Sequence, residues 1–290
     1  MEWKPDWGLR ARMAVTMVLL FGLGAVFAAV LAAYLRSGVV FVLLFAGMPL
    51  IQYFASDKLT LWSMGAREVG EDEYPWLHGT VGRLSQQADL PKPTVAVVDS
   101  KVPNAFATGR SKNHAAVCVT TGLLNALERD EIEGVLAHEL AHVKNRDMAV
   151  MTIASFLSTL AFIVLRWGWL FGGGGRNRNQ SPVYVAIVVS LVVWVVSFFL
   201  IRALSRYREY SADRGAALIT GDPSALASAL LKISGRADKI PDEDLRDQAE
   251  MNAFFIIPLR SGVVGRLFST HPPTEKRVER LRALERELET

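Results

Sequence analysis

Four stretches of the chain consist mostly of apolar residues and contain no charged side chain. They are Met13–Leu35, 37–56, Met148–Leu165 and Asn179–Ile201. A helix needs roughly 20 consecutive apolar residues to cross the hydrocarbon core of a membrane. The first and fourth stretches satisfy this length, whereas the second contains Pro49 and the third contains several Ser and Thr residues. The pattern predicts about four transmembrane helices. The alternative for each stretch is a buried core helix, and the shorter second and third stretches favour it more than the other two do.

The spans divide the chain into four segments. We expect a membrane hairpin at 1–56, a polar block at 57–147, a second membrane hairpin at 148–201 and a polar block at 202–290. Both polar blocks lie on the same side of the membrane, because two spans separate them. Clusters of Lys and Arg beside the spans on that side are typical of cytoplasmic segments, although the basic residues between the third and fourth spans do not fit this rule. The pattern predicts a multi-pass protein of the cell membrane (plasma or inner membrane) whose polar blocks face the cytoplasm.

The polar blocks combine helices with a few short strands. Apolar spacing predicts strands at Pro93–Asp99 and His114–Thr120, and helices at Glu73–Asp89, from Asp130, from Asp222 and at Thr274–Glu289. Strands bounded by Pro, Gly, Asn and Ser indicate a small β-sheet. We therefore predict an α+β membrane protein that is mainly helical and carries one small sheet.

Composition and charge exclude several classes of protein. Hydrophobic residues make up 51% of the chain and charged residues 21%, which excludes a disordered protein. The 32 basic and 29 acidic residues nearly balance, so the charge does not favour nucleic acid as a partner. The only cysteine is Cys118, which excludes a disulfide-stabilised scaffold.

The helix that opens at Asp130 contains the motif H-E-x-x-H, formed by His138, Glu139 and His142. At about 100° per residue, His142 lies about 40° and Glu139 about 100° around the helix from His138, so the three side chains face one way. Two imidazoles at positions i and i+4 can reach one tetrahedral zinc ion, and Glu139 then lies where it can accept a proton from a water molecule. The alternative is a solvated helix with two incidental histidines.

A catalytic zinc ion needs a third protein ligand, and the second polar block offers one. Glu209 and Asp213 are four residues apart, on one face of a helix that follows the fourth span. Glu209 would bind the metal, and Asp213 would accept the second ring N–H of a ligand histidine and so fix its tautomer. Ordinary surface carboxylates are the alternative. The hairpin of the third and fourth spans returns Glu209 to the side of the membrane that holds His138.

Three motifs resemble one family of membrane proteins by their composition and order. They are HELAH followed by Asn145-Arg146-Asp147, SRYREYSAD at 205–213, and FSTHPP at 268–273. The chain resembles the HtpX-type integral-membrane zinc metalloproteases, which belong to the gluzincin group and are related to the CAAX prenyl endopeptidases. The resemblance implies that His138, His142 and Glu209 bind one Zn²⁺ per chain and that Glu139 is the catalytic base.

The same resemblance implies a fold, a reaction and partners. The fold would include a zincin-like catalytic domain, and the reaction would be cleavage of peptide bonds at the cytoplasmic face of the membrane. The substrates would be misfolded or membrane proteins. The partners would be protein or peptide substrates, the lipid bilayer and other membrane quality-control proteins.

Two further expectations concern the substrate and the transition state. Asn104, Ala105 and Phe106 resemble the edge-strand segment with which gluzincins hold an extended substrate, so Asn104 and Ala105 are expected to bind substrate. A turn residue is the alternative for Asn104. His271 is the best candidate for a donor to the tetrahedral oxyanion, and its alternative is an incidental loop histidine. Tyr207 and Tyr210 are weaker candidates for the same donor.

Two other functions compete with the endopeptidase. A site-2-type intramembrane protease would need the metal-binding helix inside a span, but charged residues such as Glu131 and Lys144 flank the motif and are costly at bilayer depth. A non-catalytic membrane scaffold or chaperone would have no need of Glu139. The intact H-E-x-x-H motif therefore favours the endopeptidase.

Overall fold

The structure is a computed structural model that describes residues 6–34, 47, 51, 54, 59–171, 181–237 and 271–289. The chain forms two compact units. One unit contains Met1–Asp6, Ala55–Met148 and Ser205–Thr290, and the other contains Trp7–Phe54 and Ala149–Leu204.

The helices and strands are numbered in chain order within these residues. The helices are α1 (Trp7–Tyr34), α2 (Pro75–Gln87), α3 (Thr121–Ala126), α4 (Arg129–Lys144), α5 (Asp147–Phe171), α6 (Ser181–Thr220), α7 (Pro223–Ala237) and α8 (Thr274–Leu288). The strands are β1 (Arg67–Glu68), β2 (Thr94–Val98), β3 (Ala105–Gly109) and β4 (Ala115–Thr120). The two strands and four polar-block helices expected from the sequence are confirmed. The α+β class, with helix predominating, is therefore confirmed as well.

Among the described residues, three helices are long and apolar enough to cross a membrane: Trp7–Ala33, Asp147–Arg166 and Tyr184–Thr220. They correspond to the first, third and fourth apolar stretches. The second stretch, 37–56, lies almost entirely outside the described residues, so the count of four spans stays a prediction.

Two of these helices are longer than the sequence pattern indicated. The third stretch ends at Leu165, but α5 continues to Phe171 because further apolar residues follow Arg166. The fourth stretch ends at Ile201, but α6 continues to Thr220 because no proline interrupts the polar segment after the span. One continuous helix therefore carries both the apolar span and the polar segment with Glu209.

The four strands form one mixed sheet in the order β1-β2-β4-β3. β2 and β4 are parallel, and β3 is antiparallel to β4, with Ala105 opposite Val119 and Gly109 opposite Ala115. Successive side chains along β4 point to opposite faces of the sheet. Val117 packs in the main core with the helices, whereas Cys118 packs on the opposite face. Burial raises the pKa of the Cys118 thiol to about 12, as expected for a small buried side chain without a charged role.

Helix α4 lies at the centre of the unit that contains the sheet. Its N-terminus is closed by a capping box between Glu128 and Glu131, which satisfies amide groups that the helix leaves unpaired. Gly134 permits a close approach to α7, because a Cβ atom there would lie 2.9 Å from the backbone nitrogen of Leu226. Helix α4 is thereby held at its N-terminal half, and its C-terminal half carries the H-E-x-x-H motif.

Candidate metal centre

The two histidines of the motif meet the glutamate of α6 in the interior of the protein. His138, His142 and Glu209 each offer one ligand atom, and these three atoms lie within 4.8 Å of one another. The Nε2 atoms of the two histidines are 3.1 Å apart. Glu209 Oε2 lies 3.5 Å from His138 Nε2, and Glu209 Oε1 lies 3.5 Å from His142 Nε2. All three side chains are buried, so the cluster is shielded from bulk water.

Each histidine is oriented by a carboxylate on the far side of its ring. His138 Nδ1 lies 3.0 Å from Asp213 Oδ1, which is the contact that the spacing of Glu209 and Asp213 predicted for a ligand histidine. His142 Nδ1 lies 2.6 Å from Asp147 Oδ2. An Nδ1–H that donates to a carboxylate leaves the Nε2 lone pair for a metal ion. Both Nε2 atoms therefore face the carboxylate of Glu209.

The position of Asp147 follows from the way in which α4 ends. Asn145 caps the helix, and Arg146 adopts the left-handed conformation with φ of 57°. The chain reverses at this residue, in the manner of a helix C-terminus that ends in a left-handed residue. Asp147 then begins α5 next to the last turn of α4, where its carboxylate reaches His142.

Two buried arginines contact these carboxylates. Arg277 on α8 donates to Asp213 Oδ1 from Nη2 at 2.6 Å and to Oδ2 from Nε at 2.9 Å. Its Nη1 lies 3.3 Å from Glu209 Oε2. Arg208 Nε lies 3.2 Å from Asp147 Oδ1. Each carboxylate that orients a histidine is therefore paired with a guanidinium group.

Glu139 faces the edge of the sheet. Its Oε2 accepts a hydrogen bond of 2.8 Å from the backbone N–H of Ala107 in β3. Burial raises the pKa of the Glu139 carboxyl group. A higher pKa makes a carboxylate a better proton acceptor near neutral pH. The arrangement holds the carboxylate by one oxygen and leaves the other able to receive a proton.

The two residues expected at the substrate-binding strand occupy different positions in the hydrogen-bond pattern. Asn104 precedes β3, and its backbone N–H and C=O both pair with Thr120. In an antiparallel pair the next residue presents its backbone groups to the opposite side, as Ala107 does toward Glu139. Ala105 therefore directs its N–H and C=O away from β4, toward the edge that β3 forms in the described part of the sheet.

His271 lies beside the histidine–glutamate cluster. Its Nδ1 is 3.1 Å from Glu209 Oε2. The structure thus brings the histidine of the FSTHPP segment to the same carboxylate, although residues 268–270 of that segment lie outside the described residues. Tyr210 instead packs against Arg280, whose guanidinium carbon is 4.3 Å from the centre of the tyrosine ring.

Comparison with known proteins identifies the family. The profile described as "Peptidase family M48" matches residues 71–285. The chain is 55% identical over 291 residues to "Protease HtpX homolog 2" of Methanosarcina mazei, with 99% of each chain covered. It is 53% identical over 292 residues to "Protease HtpX homolog" of Moorella thermoacetica, with 98% of this chain and 97% of the relative covered. The chain belongs to peptidase family M48.

A solved structure shows that the fold is shared beyond these relatives. The crystal structure of S. mikatae Ste24p matches with a TM-score of 0.56 at 18% sequence identity. The match covers 95% of this chain, and this chain spans 66% of Ste24p. The family and its relatives make this M48 chain a membrane metalloendopeptidase, and the resemblance drawn from its three motifs is confirmed.

The charges around the histidines suit a divalent cation. The buried charged groups next to the two histidines and their partners are the carboxylates of Glu139, Asp147, Glu209 and Asp213 and the guanidinium groups of Arg208 and Arg277. When the carboxylates are ionised and the imidazoles are neutral, this described set has a net charge of about minus two, and uncompensated buried charge is costly. Burial lowers the pKa of His138, but hydrogen bonds to Asp213 and Glu209 outweigh this and raise it to about 9. The buried carboxylates therefore favour a positive charge beside His138 and His142.

The contacts of Asp147, Arg208, Arg277 and Ala107 at this site do not follow from the sequence motifs. A signal for Arg277 was present. Leu281 and Leu284 follow it at i+4 and i+7, so the arginine lies on the apolar face of α8, and both leucines are buried. A charged residue on an apolar helix face indicates a buried ionic partner.

Proposed function

We propose that His138, His142 and Glu209 bind one Zn²⁺ per chain. The observation that carries the proposal is the convergence of the three side chains. The two Nε2 atoms are 3.1 Å apart, each lies 3.5 Å from one oxygen of Glu209, and one ligand atom from each residue falls within 4.8 Å of the others. Zn–N and Zn–O bonds of about 2.0–2.2 Å in a tetrahedral site place neighbouring ligand atoms about 3.3 Å apart. Two imidazoles and one carboxylate are a donor set that zinc accepts, and three protein ligands leave a position open for the reaction.

The residues around this site would carry out peptide hydrolysis. When bound, Zn²⁺ polarises a carbonyl group and lowers the pKa of water to about 7. Glu139 accepts the proton of the attacking water and later delivers it to the leaving amine. The Ala107 N–H fixes one oxygen of the Glu139 carboxylate during this transfer. His271 donates a hydrogen bond to the oxyanion, which its position beside Glu209 supports.

The substrate would be an extended polypeptide that adds to β3. Ala105 supplies backbone groups for this pairing, because they point away from β4. Asn104 supports the strand from the other side through its bonds to Thr120. Strand addition recognises the substrate backbone, so it accepts many sequences. This suits an enzyme that cleaves misfolded or membrane proteins in quality control, which is the physiological role that the resemblance to HtpX-type proteases implies.

The metal centre would face the cytoplasm from a multi-pass protein of the cell membrane. The basic residues next to the predicted spans support this orientation. Reporter domains fused after Asp57 and after Thr290 are expected to read as cytoplasmic. A reporter near Gly174 is expected to read as external. Opposite sides for the first two fusions would contradict the orientation.

Metal content of purified variants tests the ligand assignment. His138→Ala, His142→Ala and Glu209→Ala should each lose most of the bound zinc, because two ligands hold the ion far more weakly than three. Glu139→Gln is the matched control, since it changes a buried carboxylate in the same motif without removing a ligand, and it should retain about one zinc per chain. Elemental analysis of detergent-purified protein gives both results. Full zinc content in Glu209→Ala would contradict the assignment.

A further inference from the structure

The largest fully buried charged side chain in the described residues belongs to the C-terminal helix α8. Arg277 is only 1% exposed. Its guanidinium group makes two hydrogen bonds to Asp213, from Nη2 at 2.6 Å and from Nε at 2.9 Å. The third nitrogen, Nη1, lies 3.3 Å from Glu209 Oε2. All three nitrogens thus approach the two carboxylates that contact His138.

These two carboxylates require a cation between them. Glu209 and Asp213 are one helical turn apart on α6, and both are buried. Like charges at this spacing repel, and burial increases the repulsion. A guanidinium group is planar and donates in fixed directions, so it can bind Asp213 through two bonds and contact Glu209 with the remaining nitrogen. A lysine ammonium group would neutralise the charge without fixing these directions.

We propose that Arg277 is a positioning residue of the metal centre, a role that rests on the proposed zinc site. It holds the Asp213 carboxylate in the orientation that receives His138 Nδ1, and it holds the Glu209 carboxylate toward the Nε2 atoms of His138 and His142. The C-terminal helix thereby takes part in metal retention although it supplies no ligand. Residues that orient metal ligands typically change metal affinity about 10–100-fold when they are substituted.

The competing explanation is a structural ion pair that only fastens α8 to α6. Such a pair would affect the stability of the protein with and without metal to the same extent. A positioning role affects the affinity for the ion and the geometry of its ligands. Metal affinity and ligand geometry therefore distinguish the two explanations, whereas loss of activity would not.

The experiment uses the full chain in detergent, stripped of metal with a chelator. Arg277→Lys retains the charge and loses the planar geometry, and Arg277→Met removes the charge. Arg282→Lys and Arg282→Met are matched controls, because Arg282 lies on the same helix and is exposed. Zinc affinity is measured by competition with a chromophoric chelator. The absorption spectrum of the Co²⁺-loaded protein reports ligand geometry, and the melting temperature of the metal-free protein reports folding.

The proposal predicts that zinc affinity falls about 10–100-fold in Arg277→Lys and further in Arg277→Met. The Co²⁺ spectrum of Arg277→Lys should change, while both Arg282 variants should match the parent protein. An unchanged affinity and spectrum in Arg277→Lys would overturn the proposal, as would an affinity loss that follows entirely from a smaller folded fraction. If Arg277→Met does not fold, Arg277→Lys alone decides. A parent protein that binds no zinc would instead contradict the proposed function itself.

Discussion

Side-chain orientation at the metal centre depends on pairs of charged groups. His138 contacts Asp213, and Asp213 binds Arg277. His142 contacts Asp147, and Asp147 lies beside Arg208. A carboxylate that contacts both an imidazole and a guanidinium group, by hydrogen bonds at Asp213 and by an ion pair with Arg208 at Asp147, can rotate less than one with a single partner. Each histidine therefore has its ring orientation fixed by two successive contacts.

His271 is expected to act on the transition state rather than on metal binding. Loss of one oxyanion donor typically lowers kcat by about 10²–10³. His271→Ala should lower kcat by that factor with little change in KM, and elemental analysis should find its zinc retained, since His138, His142 and Glu209 are unchanged. Zinc loss in this variant would make His271 a ligand. An unchanged kcat would show that His271 is structural, and Tyr207 or Tyr210 would then be the next candidate for the oxyanion donor.

The sequence predicts some of these residues and not others for a physical reason. His138, Glu139 and His142 lie within two turns of one helix, where a fixed rotation per residue determines which side chains share a face. Glu209 and Asp213 follow from the same rule. Arg277 is 64 residues from Asp213 along the chain, so its contact depends on how α8 packs. No local rule gives that packing, and the buried leucines near Arg277 indicate only that it faces inward.

At the scale of elements, α4 is fixed on two sides. Gly134 lies against α7, and Glu139 accepts a hydrogen bond from β3. The N-terminal half of α4 is further tied to α7 because Glu131 accepts from Ser228 at 2.7 Å and pairs with Lys232 at 2.7 Å. These contacts fix the position of the H-E-x-x-H motif along the edge of the sheet. The apolar spacing predicted strands β2 and β4 and helix α4, whereas it gave no sign of strand β1, of the capping box or of this close approach of two helices.

The close approach at Gly134 makes that residue sensitive to substitution. A Cβ atom there would lie 2.9 Å from the nitrogen and 3.0 Å from the Cα of Leu226, both of which are backbone atoms. Gly134→Ala should lower the free energy of unfolding by about 1–3 kcal/mol, as overpacking in a core does. Gly79→Ala on α2 is the control, because no atom lies within 4 Å of a Cβ atom there. Thermal unfolding in detergent should show a lower melting temperature for Gly134→Ala than for the parent. The melting temperature of Gly79→Ala should show no such decrease. Equal melting temperatures for all three proteins would contradict the packing described.

The whole molecule assembles its site from both polar blocks of the chain. One compact unit contains Ala55–Met148 and Ser205–Thr290, and every residue of the metal centre belongs to it. The apolar stretches of α5 and α6 lie between these two segments along the chain, so the H-E-x-x-H motif precedes them and the Glu209 segment follows them. The sequence predicts that the two polar blocks lie on the same side of the membrane, because two predicted spans separate them. It could not predict that the fourth apolar stretch and the Glu209 segment form one unbroken helix.

We propose that this M48 chain hydrolyses peptide bonds with a zinc ion at His138, His142 and Glu209 and with Glu139 as the base. Casein digestion by the detergent-purified, zinc-loaded chain and by its Glu139→Gln variant tests it most directly. The parent should cleave casein and stop when a chelator removes the metal. Glu139→Gln should retain about one zinc per chain and lose at least about 100-fold in rate, since a general base contributes about 10²–10⁴-fold. Cleavage by zinc-loaded Glu139→Gln at the rate of the parent would contradict the account.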